Sequence, residues 1–170
     1  VILALIYLGA ALFGLSFEPV SGFATLVWPP TGIALAALVL FGYRLSPGVA
    51  IGAFFANFIT GAPPFVAAGI AIGNTLEAMV GAYLLEKVGF QNSLERLKDV
   101  LYLIFRGALL STIVSATIGV AMLWIGGITP LQNLGNTWSA WLIGDVLGNL
   151  IVAPLIFVWL RKKTHDILQW

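Results

Sequence analysis

The stretch WSAWLIGDVLGNLIVAPLIFVWL, Trp138–Leu160, decides the fold. It is apolar almost throughout and carries no Lys, Arg or His. A helix needs about 20 such residues to cross the hydrocarbon core of a bilayer. One carboxylate, Asp145, lies inside the run. Phe65–Leu85 has the same character, with Glu77 as its only charged residue. An acid at membrane depth costs about 3 kcal/mol on insertion scales and is expected to face a bundle interior or a wet cavity. Two such acids in one small chain are the strongest functional clue in the sequence.

Composition agrees with a membrane protein. Of the 170 residues, 60% are hydrophobic and 9% charged, where soluble domains carry roughly 25% charged residues. Mean hydropathy is +1.02. The net charge of +1 comes with no Lys/Arg stripe able to track phosphates, so no nucleic-acid partner is expected. The chain has no Cys, which excludes disulfides and thiolate metal sites. Its one His, His165, lies in a charged tail, so no metal or other cofactor is expected. The sequence opens on Val1, not Met, inside an apolar run, and the native N-terminus is expected to lie upstream.

Six apolar spans follow along the chain: Val1–Phe17, Thr25–Gly42, Pro47–Gly61, Phe65–Leu85, Val100–Ile125 and Trp138–Leu160. The third is short for a bilayer. Linkers are brief, so one domain over residues 1–160 is expected, with a basic juxtamembrane tail over 161–170. The runs lack β-barrel alternation. The predicted fold is an all-α integral membrane bundle of about six transmembrane helices. Loop charge orients it. Arg44, then Lys87, Arg96 and Lys98, then Arg161, Lys162 and Lys163 follow the second, fourth and sixth spans. The opposite loops, Glu18–Ala24, Ala62–Pro64 and Gly126–Thr137, hold no Lys or Arg. The positive-inside rule then places both termini in the cytoplasm. The inner loop Glu86–Asp99 reads as a solvated connector, with an amphipathic helix through Leu94, Leu97 and Leu101 as the alternative.

Small residues repeat every four positions: Gly48, Gly52 and Ala56; Gly69, Gly73 and Gly81 around Glu77; Gly107, Ser111, Ser115 and Gly119; Gly144 and Gly148. Such stripes let helix backbones approach closely in lipid. Intramolecular packing is the favoured use; a homodimer through one stripe is the second reading.

Depth selects candidate binding residues. Trp28, Pro29 and Thr31 fall near the outer end of the second span, and Asn57 in the outer part of the third. Asn74 lies three residues before Glu77 on a common helix face. Trp141, Asp145 and Asn149 are spaced four apart on the sixth span. Polar groups from the outer leaflet to mid-bilayer suggest an outward-facing pocket for a small ligand. Each has a plainer reading. The tryptophans can be interfacial belt residues, Pro29 and Pro30 a helix start, and the asparagines interhelical glue. Arg106 is expected to snorkel to the inner interface, with pairing to Glu77 as the alternative. Hydrogen bonds from Asn74, Asn57 or the Trp141 indole are expected to hold the acids.

No enzyme is expected. There is no Ser/His/acid set, phosphate loop or H-E-x-x-H motif.

Four segments carry a family resemblance. They are Val27-Trp28-Pro29-Pro30-Thr31-Gly32 leading to Phe41-Gly42-Tyr43-Arg44; Gly52-Ala53-Phe54-Phe55-Ala56-Asn57; Gly73-Asn74-Thr75-Leu76-Glu77-Ala78; and Trp141-Leu142-Ile143-Gly144-Asp145-Val146-Leu147-Gly148 leading to Ala153-Pro154-Leu155. In this order they resemble the type-one membrane-associated sensor domain, the MASE-one family, over nearly the whole chain. The resemblance implies a multi-pass sensory input domain of the bacterial inner membrane. It would relay a signal from a ligand or membrane partner to a cytoplasmic histidine kinase, diguanylate cyclase or phosphodiesterase. It carries over no catalytic residues. A substrate-binding or structural subunit of a larger membrane transporter or complex stays open beside it.

Overall fold

The computed structural model describes residues 1–16 and 25–167, with side chains described as far as residue 160. All regular structure among them is helical. The helices are α1 (Ile2–Leu15), α2 (Pro29–Phe41), α3 (Ser46–Ile59), α4 (Pro64–Lys87), α5 (Leu97–Tyr102), α6 (Ser111–Ile125) and α7 (Leu134–Ile167). A π-helical segment, Leu103–Leu110, joins α5 to α6, so Leu97–Ile125 is one continuous helix.

Proline sets the starts. α2, α3 and α4 each have one within their first two positions. Its fixed φ suits a first turn, and its missing N–H is one the helix would leave unpaired. Glycine sets an end: α2 stops at Gly42, whose φ of 88° suits glycine far better than other residues.

Three helices are long and apolar enough to cross a membrane: Pro64–Lys87, Leu97–Ile125 and Leu131–Leu160 with its leading 3₁₀ turn. α1, α2 and α3 are shorter, at 14, 13 and 14 residues. α2 is the central helix. Thr31, Gly32 and every residue of Ala34–Leu38 are buried.

Paired contacts give the helix directions. Gly48 meets Leu3 and Gly52 meets Tyr7, so α1 and α3 run parallel. Gly32 meets Gly148, and Leu35 and Ala36 share a cluster with Ala153 and Phe157, so α2 and α7 run parallel. Gly69 meets Met122, Gly73 meets Ile118 and Gly81 meets Ser111, so α4 runs antiparallel to α6. The glycine stripes are therefore seams within this chain.

Several boundaries differ from the sequence reading. The second apolar span is helical only from Pro29, because its two prolines dictate where the first turn begins. The sixth helix starts at Leu134, so Leu134–Thr137 is helix where a loop was expected. The Glu86–Asp99 connector is neither plain coil nor an amphipathic helix through Leu94. Leu94 has φ 54° and packs against the Leu85/Phe157 cluster, while Leu97 and Leu101 are exposed. Buried Asp99 ties the connector, accepting the Gln91 N–H at 3.0 Å and Arg96 Nη2 at 2.7 Å. Phe17 and the Glu18–Ala24 loop lie outside the described residues, as do the side chains of Arg161, Lys162, Lys163 and His165.

Candidate functional site

The site begins where α2 meets α7. Pro29 and Pro30 have no N–H to offer, and the Trp28 N–H donates across to the Gly144 carbonyl at 2.9 Å. This approach needs glycine on both sides. A Cβ on Gly148 would collide with the Trp28 carbonyl oxygen, one on Gly144 with that of Thr25, and one on Gly32 with that of Gly148. The contact brings Thr31 against Asp145, and its hydroxyl donates to Asp145 Oδ1 at 2.9 Å. The two sequence segments Trp28–Gly32 and Gly144–Gly148 are thus halves of one interlock.

Asp145 is 1% exposed and Glu77 2%. Ser115 of α6 donates to Asp145 Oδ2 at 2.8 Å, and the Trp141 indole lies beside this carboxyl. Glu77 Oε1 lies 2.9 Å from Thr112 Oγ1 and accepts Asn149 Nδ2 at 3.2 Å. Glu77 and Asp145 lie together, held by the α6 hydroxyls Thr112 and Ser115 three residues apart. Four helices thus meet at one carboxyl pair: α2 through Thr31, α4 through Glu77, α6 through Thr112 and Ser115, and α7 through Asp145 and Asn149.

A second branch reaches α1. Asn74 Nδ2 donates to Tyr7 Oη at 3.0 Å, and the Trp28 indole lies beside the same hydroxyl. Tyr7 is 1% exposed. The Asn74 and Asn149 Oδ1 atoms are buried and have no hydrogen-bond partner.

Seven of the nine residues selected from sequence converge here: Trp28, Thr31, Asn74, Glu77, Trp141, Asp145 and Asn149. Pro29 shapes the α2 start and abuts Gly14. Asn57 stays apart; its Nδ2 donates to Ala53 O at 2.8 Å, within its own helix. The expected donors are also revised. Asn74 serves Tyr7, Asn57 serves its own backbone, and the hydroxyls of Thr31, Thr112 and Ser115 serve the acids. Tyr7 and Thr112 were missed, and Ser115 was read as a packing residue. Their one sequence signal is Thr112 and Ser115 three apart beside a glycine stripe, a spacing that shares a helix face. Arg106 lies in the π-helical segment with its guanidinium 5.9 Å from the Tyr102 ring centre, while Glu77 is held by Thr112 and Asn149.

Both acids are buried among the described residues. Among the described residues, cavities of about 400 and 440 Å³ lie elsewhere. The first is lined by Tyr43, Glu86 and Phe90 among others, the second by Thr117, Trp124 and Trp138. The centre joins four helices through two carboxyls, so a change in its charge would disturb their packing.

Comparison with curated proteins and with solved structures gives no match. The MASE1 family model matches residues 1–167. That family comprises membrane-associated sensor domains without catalytic activity. The match covers essentially the whole chain, and this chain belongs to the MASE1 family.

Proposed function

We propose that the chain is a multi-pass sensory input domain of the bacterial inner membrane, and that the Glu77–Asp145 centre is its switch. Residues 1–160 form the membrane domain and residues 161–170 a cytoplasmic juxtamembrane tail. The domain crosses six times, with both termini cytoplasmic. Helix directions support this topology. The parallel pairs α1/α3 and α2/α7, with α4 antiparallel to α6, are what strict alternation requires. The loop charges agree.

One observation carries the functional reading. Two buried acids lie together and are held by hydroxyls from helices on both sides. Desolvating a carboxylate costs several kcal/mol, and an apolar core of the same shape would avoid that cost. Its hydrogen bonds also stiffen four helices into one arrangement. A stimulus that changes the charge or ligation of the pair favours a second packing. α7 holds Asp145 and continues to Ile167, so its movement is the direct route to a cytoplasmic output module. That module is a histidine kinase, diguanylate cyclase or phosphodiesterase.

The test fuses the chain to a reporter kinase. Asp145→Asn and Thr31→Val should lock the output in one state while the protein still inserts and accumulates. Fully responsive output in both variants would show that the centre is not the switch, and a wild-type fusion whose output responds to no condition would favour a structural or substrate-binding subunit of a larger complex.

A further inference from the structure

We propose that the oxygen cluster between α2, α4, α6 and α7 binds one small monovalent cation of the sodium type, together with one proton shared by Glu77 and Asp145.

Charge comes first. The titratable side chains facing the centre are Tyr7 from α1, Glu77 from α4 and Asp145 from α7. α2 and α6 present Thr31, Thr112 and Ser115, and Arg106 turns to Tyr102. No cationic side chain among the described residues bonds either acid. Two carboxyls buried together on the Thr112/Ser115 turn, with no cation bonded to either, share one proton, because like charges so placed do not both ionise. One negative charge remains, and one monovalent cation balances it.

Unused acceptors come next. Buried polar atoms are nearly always paired, and an unpaired one costs about 1–3 kcal/mol. Asn74 Oδ1 and Asn149 Oδ1 are both unpaired, on side chains 5% and 1% exposed. Asn149 Oδ1 belongs to the amide whose nitrogen touches Glu77. Asn74 lies one turn before Glu77. A proton on the acids leaves both amide oxygens unsatisfied. A cation coordinated by Asn149 Oδ1 and the carboxyl oxygens, with Asn74 Oδ1 beside them, uses them.

Donor chemistry points the same way. Thr112 has one hydroxyl proton and two acceptors in reach, Glu77 Oε1 at 2.9 Å and Ala108 O at 2.7 Å. With the proton on Ala108 O, Thr112 presents a lone pair to the centre. Carboxyl, amide and hydroxyl oxygens, with no sulfur or imidazole, form the ligand set of a hard cation. The close packing favours a small ion over potassium. The adjoining π-helical turn, a feature frequent at functional sites, gives α6 room to adjust its register.

The sodium site deepens the sensory reading, on which it rests only for its effect on output. The full chain, in lipid nanodiscs with N-methylglucamine chloride as the starting salt, is titrated with sodium chloride at constant ionic strength. Thermal unfolding should show a saturable rise of about 4 °C or more. Potassium and calcium should reproduce less than half of it. Acidification should weaken sodium binding by competition. Sodium NMR linewidths of the wild-type protein should broaden saturably, a readout independent of any variant's folding. Asn149→Ala should weaken apparent sodium affinity by about tenfold or more. Equal responses to potassium, preference for calcium, or stabilisation by acid alone with no sodium effect would each overturn the proposal. Sodium binding without any change in reporter output would sink the sensory reading and leave the site standing.

Discussion

Thr31 contributes one hydroxyl, yet that hydroxyl joins α2 to the only acid of the apolar run Trp138–Leu160. Replacing it with valine keeps the shape and removes the donor. A buried acceptor that loses its partner costs about 1–3 kcal/mol. Thr31→Val, Thr112→Val and Ser115→Ala should therefore each lower unfolding stability by that order in a denaturant titration. Asn57→Ala, which removes only a bond within its own helix, should cost less, about 0.6 kcal/mol. Equal losses at Asn57 and Thr31 would refute a special role for the centre. A different polar pair lies outside the membrane core. Tyr43 donates to Glu86 Oε2 at 2.9 Å, and partial burial and that carboxylate push its phenol up to about 12. The folded-state value exceeds the 10.0 of an ordinary tyrosine phenol. The contribution is therefore complete below pH 10 and is lost as pH rises through about 12. Tyr43→Phe should lower stability modestly at neutral pH and flatten the alkaline limb, so that the variant and wild-type curves converge as pH approaches about 12. These single-residue roles differ in how far the sequence disclosed them. Glu77 and Asp145 stand out because a charge in an apolar run has no ordinary explanation. Tyr7, Thr112 and Ser115 do not, because a hydroxyl in a membrane helix bonds its own backbone as readily as a neighbour. Ser115 does both, reaching Thr112 O at 3.3 Å as well as Asp145.

At the level of helices, stability rests on how closely α2 and α7 approach. Hydrophobicity contributes little between helices in lipid, so close backbone packing and cross-helix bonds must hold them. Gly32, Gly144 and Gly148 permit the approach, and the Trp28 N–H bond to Gly144 is its product. Gly148→Ala should force the helices apart, costing roughly 1–3 kcal/mol as overpacking and separating Thr31 from Asp145. Gly9→Ala is the control. It sits on exposed α1 surface with nothing within 4 Å of its added Cβ, and should stabilise by about 0.5–1 kcal/mol. If both substitutions act alike in thermal unfolding, the interlock is not what limits stability. Stripe spacing made the close-packing faces legible, since small residues four apart have few other uses in lipid. The partner of each stripe was not legible, because spacing defines a face and not what lies opposite. Trp141 shows the gap. Sequence offered it as a belt or pocket residue, yet its ring is packed over Gly119 while its indole lies beside Asp145.

Across the whole molecule, helix direction and loop charge are independent lines of argument. Lys87, Arg96 and Lys98 lie beyond the α4 end that α2 and α7 also point toward. Gly126–Asn133, without a base, lies at the opposite end between α6 and α7. Three helices reach membrane length alone, and α2, at 13 residues, is shorter than the 20 or so a lipid-exposed span needs. α2 is enclosed by α1, α4 and α7, so its flanking backbone meets protein where it would otherwise meet hydrocarbon, and Trp28 already does so through Gly144. Non-helical backbone at membrane depth is tolerated under that condition. If the chain crosses six times as proposed, length alone undercounts the crossings, and a chemical measurement can count them. The protein has no cysteine, so single cysteines report without background. Gln132→Cys and Lys98→Cys both replace exposed residues. In right-side-out vesicles an impermeant maleimide should label the first and spare the second; in inverted vesicles the pattern should reverse. Labelling of both positions from one side would remove an odd number of crossings between them and overturn the six-crossing topology. Labelling as expected would put the α7 C-terminal end on the cytoplasmic side, where an output module could follow its movement.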